Sequence, residues 1–325
     1  MTNKITEITN CIQKELKDFE VMFKSCFSAD NSSLDNMLKY VVSLKGKRVR
    51  PIIALLCALT FGKATKQTFR SAIIIELLHT ASLLHDDVID ESNIRRGQKT
   101  LNASFDSHLA ILVGDYLFGK ALSLLQTQED FNLMPIFGKI AMDLPKGEIR
   151  EDEATKQKDT SLDFYLKVIY EKTASLIEAS VMCGITSCGN YNKKINIEQI
   201  KNFGKAIGMA FQIKDDILDY KDNTGKEKGI DIKESKITIP LIYYLEGVSE
   251  EEKLEVLNML YSPNKTDEQV KTLLQKVCES GALDKAEQTM SYYSKQAINI
   301  INTFPQNIYS KSLLELVQYL TMRDK

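Results

Sequence analysis

The residues best suited to carry out chemistry in this sequence are two sets of three aspartates. Each set has the pattern Asp-Asp-x-x-Asp after a long apolar run, and the six residues are Asp86, Asp87, Asp90, Asp215, Asp216 and Asp219. On a helix, the first and last aspartate of each set lie on one face, and the middle one lies about 100° around the axis. Carboxylates this close repel one another, and a bound cation would offset that cost. Hard oxygen ligands suit Mg²⁺, which commonly bridges carboxylates and substrate phosphates.

One such set, taken alone, is also typical of a solvated acidic helix end. Here both sets follow runs that are too apolar for an exposed helix face, AIIIELLHTASLLH before the first and FGKAIGMAFQI before the second. The repetition therefore favours metal binding at the mouth of an apolar interior.

Basic segments accompany both acidic sets. KGKRVRP occupies 45–51, RRG at 95–97 follows the first set, and the lysine-rich segment 225–236 follows the second. Each segment alone would be typical of a charged surface. Arginine forks and lysine charges beside Mg²⁺ bind diphosphates well, so their placement predicts an anionic, phosphorylated substrate.

Helices are the elements that must position these motifs. Only 15 Gly and 6 Pro occur in 325 residues, about half of the ~12% in average proteins, so long uninterrupted elements are expected. Apolar residues also recur at helical spacing along most of the chain. The sequence predicts an all-α fold in one large domain spanning 1–325. The predicted helices include 66–92, 101–128, 130–150, 161–182, 196–221, 281–303 and 307–322. The predicted loops are 45–50, 93–100, 152–160, 222–236 and 262–265.

Two of the predicted helical segments, 71–85 and 107–125, are apolar on more than one face. Such helices lie centrally in a bundle or at a subunit interface. The pattern therefore predicts a large helical bundle and favours a homo-oligomer.

Bulk composition excludes several functional classes. The net charge is −2, with 42 basic and 44 acidic residues, which gives no general attraction to nucleic acid or acidic lipid. The six cysteines form no C-x-x-C pair, as expected for reduced thiols in the cytoplasm. The N-terminal segment is polar, and uncharged runs fall short of the ~20 apolar residues that span a bilayer. We expect a cytoplasmic protein.

Eight motifs follow one another in a distinctive order along the chain. They are GKRVRP at 46–51, HTASLLHDDVID at 79–90, RRG at 95–97, GE at 147–148, EKTASL at 171–176, FQIKDDILD at 211–219, GKEKGID at 225–231 and KITIP at 236–240. This ordered set resembles the trans-polyprenyl diphosphate synthases, all-α enzymes that elongate isoprenoid chains. The resemblance runs over nearly the whole chain, and it implies a homodimer of helical bundles, each around a central apolar tunnel.

The resemblance also implies a reaction. An allylic diphosphate, held by the six aspartates through about three Mg²⁺ ions, loses its diphosphate, and isopentenyl diphosphate attacks the allylic cation through its double bond. Loss of a proton leaves a product five carbons longer. The mechanism is electrostatic and needs no nucleophilic side chain. This agrees with the lack of a convincing Ser/His/Asp or Cys/His arrangement in the sequence.

Individual roles follow from the positions that match the family's motifs. The residues implied to hold the allylic diphosphate are Arg95, Lys172, Thr173, Gln212, Lys226 and Lys236. Those implied to bind isopentenyl diphosphate are Gly46, Lys47, Arg50, His79 and Arg96. Phe211 matches an aromatic residue near the reacting carbons. Asp219 is expected to be the most peripheral of the aspartates.

Some of these residues have simpler interpretations. His79 could be a satisfied core histidine, and Thr173 could bond its own helix. Arg323 resembles a basic tail residue that closes over the substrate. Two positions depart from the family's pattern. Ser235 replaces a glycine before Lys236, which reduces backbone freedom but keeps the lysine charge. Glu151 replaces a glutamine, and its role is left open.

Product length is expected to depend on the helix that leads into the first acidic set. Ala81 and Ser82 lie about 6–8 Å below the metal site if this segment is helical. In the family a bulky aromatic there closes the tunnel. These small side chains predict an open tunnel with a deeper floor, for which Leu78 and Phe137 are candidates, and a product of about C30 to C50. A product this apolar is expected to need at most transient membrane contact for release.

Other interpretations use the same motifs. A short-chain synthase making about C15–C20 products is one alternative. A terpene cyclase shares the acidic site but needs no second diphosphate site, which Lys47, Arg50 and Arg96 argue against. A non-catalytic subunit of a heteromeric synthase typically lacks acidic motifs that are intact here. A helical interaction scaffold would leave both acidic sets unexplained.

Overall fold

The structure is a computed structural model that describes residues 3–44, 46–95, 97–189, 196–221 and 228–321. Helices make up nearly all of its regular structure, which confirms the predicted all-α class. In chain order they are α1 (Asn3–Ile8), α2 (Gln13–Ser25), α3 (Ser32–Ser43), α4 (Val49–Phe61), α5 (Lys66–Ile89), α6 (Leu101–Ser104), α7 (Ser107–Ser123), α8 (Gln128–Phe131), α9 (Met134–Gln157), α10 (Leu162–Ile169), α11 (Ser175–Thr186), α12 (Ile197–Tyr220), α13 (Ile230–Lys233), α14 (Ile239–Leu245), α15 (Glu250–Leu260), α16 (Asp267–Glu279), α17 (Ala282–Ile301) and α18 (Ile308–Thr321).

Two short helical turns and one β-hairpin complete the regular structure. A 3₁₀ turn spans Asn10–Ile12, and a π-helical turn at Tyr170–Ala174 joins α10 to α11. Strands β1 (Ile94–Arg95) and β2 (Gln98–Lys99) form an antiparallel hairpin in which Arg95 lies opposite Gln98.

Four sequence predictions of local structure are wrong. The helix predicted over 101–128 is broken before Ser107, because the Asp106 side chain accepts hydrogen bonds from the amides of His108 (2.6 Å) and Leu109 (3.2 Å) and begins α7 there. The loop predicted over 152–160 is helical as far as Gln157. The loops predicted over 93–100 and 222–236 contain the β1–β2 hairpin and α13.

The chain divides into two compact units. The first comprises Met1–Ala141, Ala179–Lys201 and Phe304–Glu315. Its centre is α5, which packs against α4 and α7. Residues 52–58 of α4 are completely buried, and so is Ile75 of α5. These helices are apolar most of the way round because they are surrounded by protein.

The second unit comprises Met142–Glu178, Asn202–Thr303 and Leu316–Lys325. One of its cores joins α10, α12, α14 and α17, and its buried members are Tyr165, Ile169, Ala174, Met209, Ile213, Ile217, Ile239, Ile242 and Ala286. This core lies directly beneath the second acidic set, so that set emerges from an apolar interior as the sequence predicts.

Side chains cap the starts of α16 and α12. Thr266 and Gln269 form a complete capping box at the start of α16. The Asn196 side chain accepts hydrogen bonds from the amides of Glu198 (3.0 Å) and Gln199 (3.2 Å) at the start of α12. Each cap satisfies amides that the first helical turn leaves without partners. Among the described residues, no helix combines the length and apolarity needed to cross a bilayer.

Two glycines of α12 allow a close helix contact in the second unit. A Cβ atom added at Gly208 would lie 2.4 Å from Ala174 Cα, and one added at Gly204 would lie 2.5 Å from Glu178 Cα. Both distances are impossible for real atoms, so α12 can approach the π turn and the start of α11 only with glycine at these positions. This contact brings the acidic helix against the segment that carries Lys172 and Thr173.

We expect Gly208→Ala to destabilise the protein by about 1–3 kcal/mol, because the methyl group forces α12 away from the backbone of Ala174. The matched control is Gly138→Ala in α9, where an added Cβ meets no atom within 4 Å. That change should be neutral or stabilising by up to ~1 kcal/mol, since alanine favours helices over glycine. Thermal or denaturant unfolding measures both, and equal stability of the two variants would contradict the close contact.

Candidate active site

The first acidic set lies at the C-terminal end of α5, in the first unit. The amide of Asp90 donates to the carbonyl oxygen of Asp86 (2.8 Å), so these two residues keep helical spacing and share a face. Asp86 is half-buried and Asp90 is exposed. The two carboxylates therefore lie together at the end of α5, as the i, i+4 spacing predicts.

Asp87 faces the other way and holds the β1–β2 hairpin. Its side chain is buried and accepts a hydrogen bond from Arg95 Nε at 2.6 Å. Its carbonyl oxygen accepts from the amides of Ser92 (2.9 Å) and the Asn102 side chain (3.2 Å). Asp87 thus fixes Arg95, a residue that the family resemblance assigns to the substrate.

The basic loop before α4 lies in the same unit. Lys47 is exposed, Arg50 is half-buried in the first turn of α4, and Arg48 turns inward. Arg48, His79, Asp87 and Arg95 line one small cavity of about 50 Å³ together with apolar residues of α2, α3 and α5. His79 therefore borders a cavity that also contains charged residues. Lys45 and Arg96 lie outside the described residues.

The residues predicted to control product length also belong to the first unit. Ala81, Leu78 and Phe137 are buried, whereas Ser82 is half-buried. Ser82 lies one helical turn before Asp86 on α5, and its hydroxyl donates to the carbonyl oxygen of His79 (3.0 Å). Ser82 therefore shares a helix face with Asp86, and Ala81 is enclosed by protein.

The second acidic set lies near the end of α12, in the second unit, and Asp216 is its buried member. Tyr165 donates to Asp216 Oδ2 at 2.5 Å, and Gln212 Nε2 donates to Asp216 Oδ1 at 2.9 Å. Thr173 in turn donates to Gln212 Oε1 at 2.7 Å. Thr173, Gln212 and Asp216 form one hydrogen-bonded chain, so the Thr173 hydroxyl does not simply bond its own helix.

Burial is the main reason that the pKa of Asp216 is raised, to about 7, and nearby Asp215 raises it further. The hydrogen bonds from Tyr165 and Gln212 act in the opposite direction. Burial and the neighbouring Asp216 and Asp219 likewise raise the pKa of Asp231, to about 8. Concentrated, desolvated carboxylates of this kind disfavour their own charge and so favour a bound cation.

Asp219 has a structural partner. Its carboxylate accepts hydrogen bonds from the amides of Ile230 (3.2 Å) and Asp231 (3.1 Å) at the start of α13. It thereby ties α13 to the end of α12 and brings Asp231 towards the acidic set. Asp215, by contrast, is exposed.

Lys172 projects from the π turn between two carboxylates. Its Nζ lies 2.7 Å from Glu148 Oε1 and 2.6 Å from Glu151 Oε2. Burial alone would lower the pKa of Lys172, but Glu151 and Glu148 outweigh it and the pKa is raised. Gly147 makes room for this arrangement, since a Cβ there would lie 2.6 Å from Lys172 Cγ. Glu151, left without a role by the sequence, contacts a predicted site residue.

Many of these groups line a cavity of about 170 Å³ in the second unit. Its polar lining residues are Glu151, Thr155, Asp159, Tyr165, Lys172, Thr173, Gln212, Asp216, Asp231, Lys236 and Thr238. Four residues that the resemblance singled out, Lys172, Thr173, Gln212 and Lys236, thus come together around Asp216. Phe211 is half-buried next to Gln212 on α12 but does not line this cavity.

Tyr165 and Asp231 line the cavity although the sequence did not single them out. Asp231 closes the GKEKGID motif, so its position beside the second acidic set was a usable signal. Tyr165 is one of several apolar-face residues of α10, and nothing in its spacing distinguishes it from a core residue. Its hydroxyl meets Asp216 only because α10 packs against α12.

Ser235 shows how this chain tolerates its departure from the family's glycine. The residue has φ = 61°, in the left-handed region that favours glycine. Its hydroxyl donates to the carbonyl oxygen of Leu260 at 2.8 Å and also contacts Lys265 Nζ. These bonds offset the backbone cost. The next residue, Lys236, still lines the cavity.

The donor chemistry suits a hard divalent cation, because carboxylate oxygens dominate both acidic sets. Within the described ranges, no three acidic, His or Cys side chains converge closely enough to form a metal cage. Mg²⁺ bound through few carboxylates and completed by substrate oxygens and water needs no such cage. Lys226 and Arg323 lie outside the described residues.

Comparison with known proteins identifies relatives along the chain. The polyprenyl synthetase family model matches residues 31–277. An all-trans-nonaprenyl-diphosphate synthase (geranyl-diphosphate specific) from Rhodobacter capsulatus is 35% identical over 284 residues, covering 86% of each chain. An octaprenyl diphosphate synthase from Haemophilus influenzae is 30% identical over 321 residues, covering 98% of this chain and 96% of the relative.

Solved structures give the same result. A decaprenyl diphosphate synthase from Rhodobacter capsulatus matches with a TM-score of 0.91 and 27% identity, covering 99% of both chains. A heptaprenyl diphosphate synthase from Staphylococcus aureus matches with a TM-score of 0.88 and 30% identity, covering 97% of this chain and 99% of that one. With its ordered motifs and its helical fold, the chain belongs to the polyprenyl synthetase family and is a prenyltransferase.

Proposed function

We propose that this prenyltransferase condenses an allylic diphosphate with isopentenyl diphosphate and makes a medium- or long-chain all-trans polyprenyl diphosphate. The observation that carries the proposal is the cavity of the second unit, where Lys172, Thr173, Gln212 and Lys236 surround buried Asp216. Cationic and hydrogen-bonding groups beside desolvated carboxylates suit a substrate that arrives as a magnesium diphosphate.

The protein side chains divide the work between leaving group and acceptor. Lys172, Lys236, Lys226 and Arg95 bind oxygens of the allylic diphosphate, and Asp87 holds Arg95 in its orientation. Thr173 and Gln212 bind the same group from the hydrogen-bonded chain that ends on Asp216. Since charge builds on the diphosphate as it departs, these contacts strengthen in the transition state, which is where they accelerate the reaction.

Aspartates supply the metal ligands in this proposal. Asp86, Asp90, Asp215 and Asp216 would hold Mg²⁺, with Asp87 and Asp219 acting as supports through Arg95 and α13. Bound Mg²⁺ neutralises charge on the diphosphate oxygens.

The bond changes need no covalent enzyme intermediate. The allylic C–O bond breaks and its electron pair leaves with the diphosphate. The double bond of isopentenyl diphosphate then forms the new C–C bond, and a proton passes to the departing diphosphate. Gly46, Lys47, Arg50, His79 and Arg96 bind the acceptor's diphosphate, and the Phe211 ring favours the positive charge.

Product sizing tests the proposal directly. Purified protein incubated with Mg²⁺, farnesyl diphosphate and labelled isopentenyl diphosphate should form labelled polyprenyl diphosphates. Asp86→Ala should lower turnover roughly 10²–10³-fold, as for removal of other groups that stabilise developing charge. Asp163→Asn, which changes an exposed aspartate that pairs with Lys167 on α10, should leave turnover unchanged. Products that form without isopentenyl diphosphate would identify a cyclase instead, and no product at all would contradict the proposal.

Product length is proposed to depend on the α5 face below Asp86. Ser82→Phe should shorten the products without abolishing turnover, because the ring projects from the same face of α5 as Asp86, one turn before it. Ala81→Phe should also shorten them, but it inserts the ring into a fully buried position and will destabilise the fold. Thin-layer separation of the dephosphorylated products measures length, with Ser82→Ala as the size-matched control. Unchanged length in Ser82→Phe would remove this face from the tunnel.

A second copy of the chain is proposed to cover α7. Its inner face packs on α5, while Ile111 (42% exposed), Leu112 (49%) and Leu122 (60%) point outward, with Phe131 of α8 (56%) in the same unit. Apolar helix surface of this kind on a monomer usually marks an interface. Homodimerisation would bury it and explain why the α7 segment is apolar on more than one face.

The double variant Leu112→Glu/Leu122→Glu should therefore shift the protein from dimer to monomer, because two buried carboxylates oppose association. Light scattering coupled to size-exclusion chromatography measures the mass. The control is Val21→Glu on α2, an exposed apolar residue (65%) outside this surface, which should leave the dimer intact. A monomeric wild-type protein, or a double variant that stays dimeric, would contradict the assignment.

A further inference from the structure

Arg48 of the basic loop places its side chain inside the protein. Its Nε donates to Glu20 of α2 at 3.1 Å and its Nη1 donates to Glu76 of α5 at 2.9 Å. The guanidinium carbon lies 4.4 Å from the centre of the Phe23 ring. Only 10% of the side chain is exposed. We name Arg48, Glu20 and Glu76 the ion triad.

The backbone at Arg48 is unusual as well. Its φ is 54°, in the left-handed region, and it is the residue that immediately precedes α4. A non-glycine residue adopts this conformation only where its surroundings determine it. Here the surroundings are the two carboxylates and the Phe23 ring, which together accept the guanidinium. The side chain therefore determines the path of the loop.

The path of the loop decides where its neighbours point. Lys47 is exposed on one side of Arg48, and Arg50 lies in the first turn of α4 on the other. The Arg48 carbonyl oxygen accepts from the amide of Ile52 at 3.0 Å, so the anchored residue also begins the helix. The same side chain borders the cavity that His79 lines. One internal anchor thus connects three residues proposed to bind isopentenyl diphosphate.

We propose that Arg48 is a positioning residue for isopentenyl diphosphate. The ion triad holds the basic loop in the conformation that directs Lys47 and Arg50 at the diphosphate, and Arg48 itself does not contact substrate. The inference rests on the proposed function, since it assigns a support to the acceptor half of that site. A loop released from the triad would have to be ordered by the substrate, and binding would weaken by that cost.

The experiment must separate positioning from stability. Glu76 is buried, so Arg48→Met alone leaves an uncompensated charge and will destabilise the fold. The double variant Arg48→Met/Glu76→Gln removes both charges and should recover most of that stability. A second control is Arg70→Met/Asp130→Asn, because Arg70 and Asp130 form another buried ion pair of the first unit at 2.8 Å. It joins α5 to α8 without contacting the basic loop.

The expected result is a selective change in steady-state kinetics of the full-length enzyme. In Arg48→Met/Glu76→Gln, KM for isopentenyl diphosphate should rise about 10-fold or more, while kcat and KM for the allylic diphosphate change less than about 2-fold. The Arg70→Met/Asp130→Asn control should alter neither KM, whatever its melting temperature. Arg48→Gly/Glu76→Gln, which relieves the left-handed backbone but removes the anchor, should match the first double variant.

Three results overturn the inference, and one of them also overturns the proposed function. If the first double variant melts near wild type and keeps a wild-type KM for isopentenyl diphosphate, the triad is only structural. If both KM values and kcat change in both double variants, the effect is a general distortion of the fold and not a positioning role of the triad. A wild-type protein that makes no polyprenyl product overturns the proposed function, and this inference with it, so the two failures are distinguishable.

Discussion

The cost of holding carboxylates together out of water is the constraint on which the two site regions depend. In the second unit, Asp216 is buried on an apolar core and its pKa is raised by burial and by Asp215. Asp231 experiences the same burial and lies near Asp216 and Asp219. Such an arrangement is unfavourable until positive charge enters it. The protein keeps it in place with hydrogen bonds from Tyr165 and Gln212, and leaves the remaining compensation to the ligand.

Several other contacts pair the charged side chains near the two acidic sets with groups of the protein. Asp87 binds Arg95, Asp219 binds the amides of α13, and Lys172 lies between Glu148 and Glu151. Each of these carboxylates thus has a hydrogen-bond donor in the protein. The pairing holds either a cationic side chain or a loop at the site. Gly208 adds the packing condition, because it allows α12 to carry its acidic set against the π turn. Single-turn π segments recur at functional sites, and here the segment presents Lys172 and Thr173.

The long apolar helices and the spacing of the aspartates could be predicted from the sequence, because both depend on local periodicity. The length of α9 could not, since residues 151–157 have no apolar stripe. Pairs such as Asp152–Lys156, which contact at 2.5 Å, and strong helix formers extend it. The roles of Asp87, Asp219 and Arg48 could not be predicted either. Each belongs to a motif that contains other residues of the same charge. Only tertiary packing decides which side chain of the motif contacts the protein. Tyr165 was missed for the same reason.

Calorimetric unfolding with ligands tests the central claim most directly. If the acidic sets require positive charge before they accept an anion, Mg²⁺ and inorganic diphosphate together should raise Tm by several degrees. Binding at about 100 times the dissociation constant is worth ~2.7 kcal/mol of stability. Diphosphate alone should raise Tm much less, because the carboxylates repel it from the acidic sets and leave it only the cationic residues proposed for isopentenyl diphosphate. A rise in Tm with diphosphate alone that equals the rise with Mg²⁺ present would contradict the account.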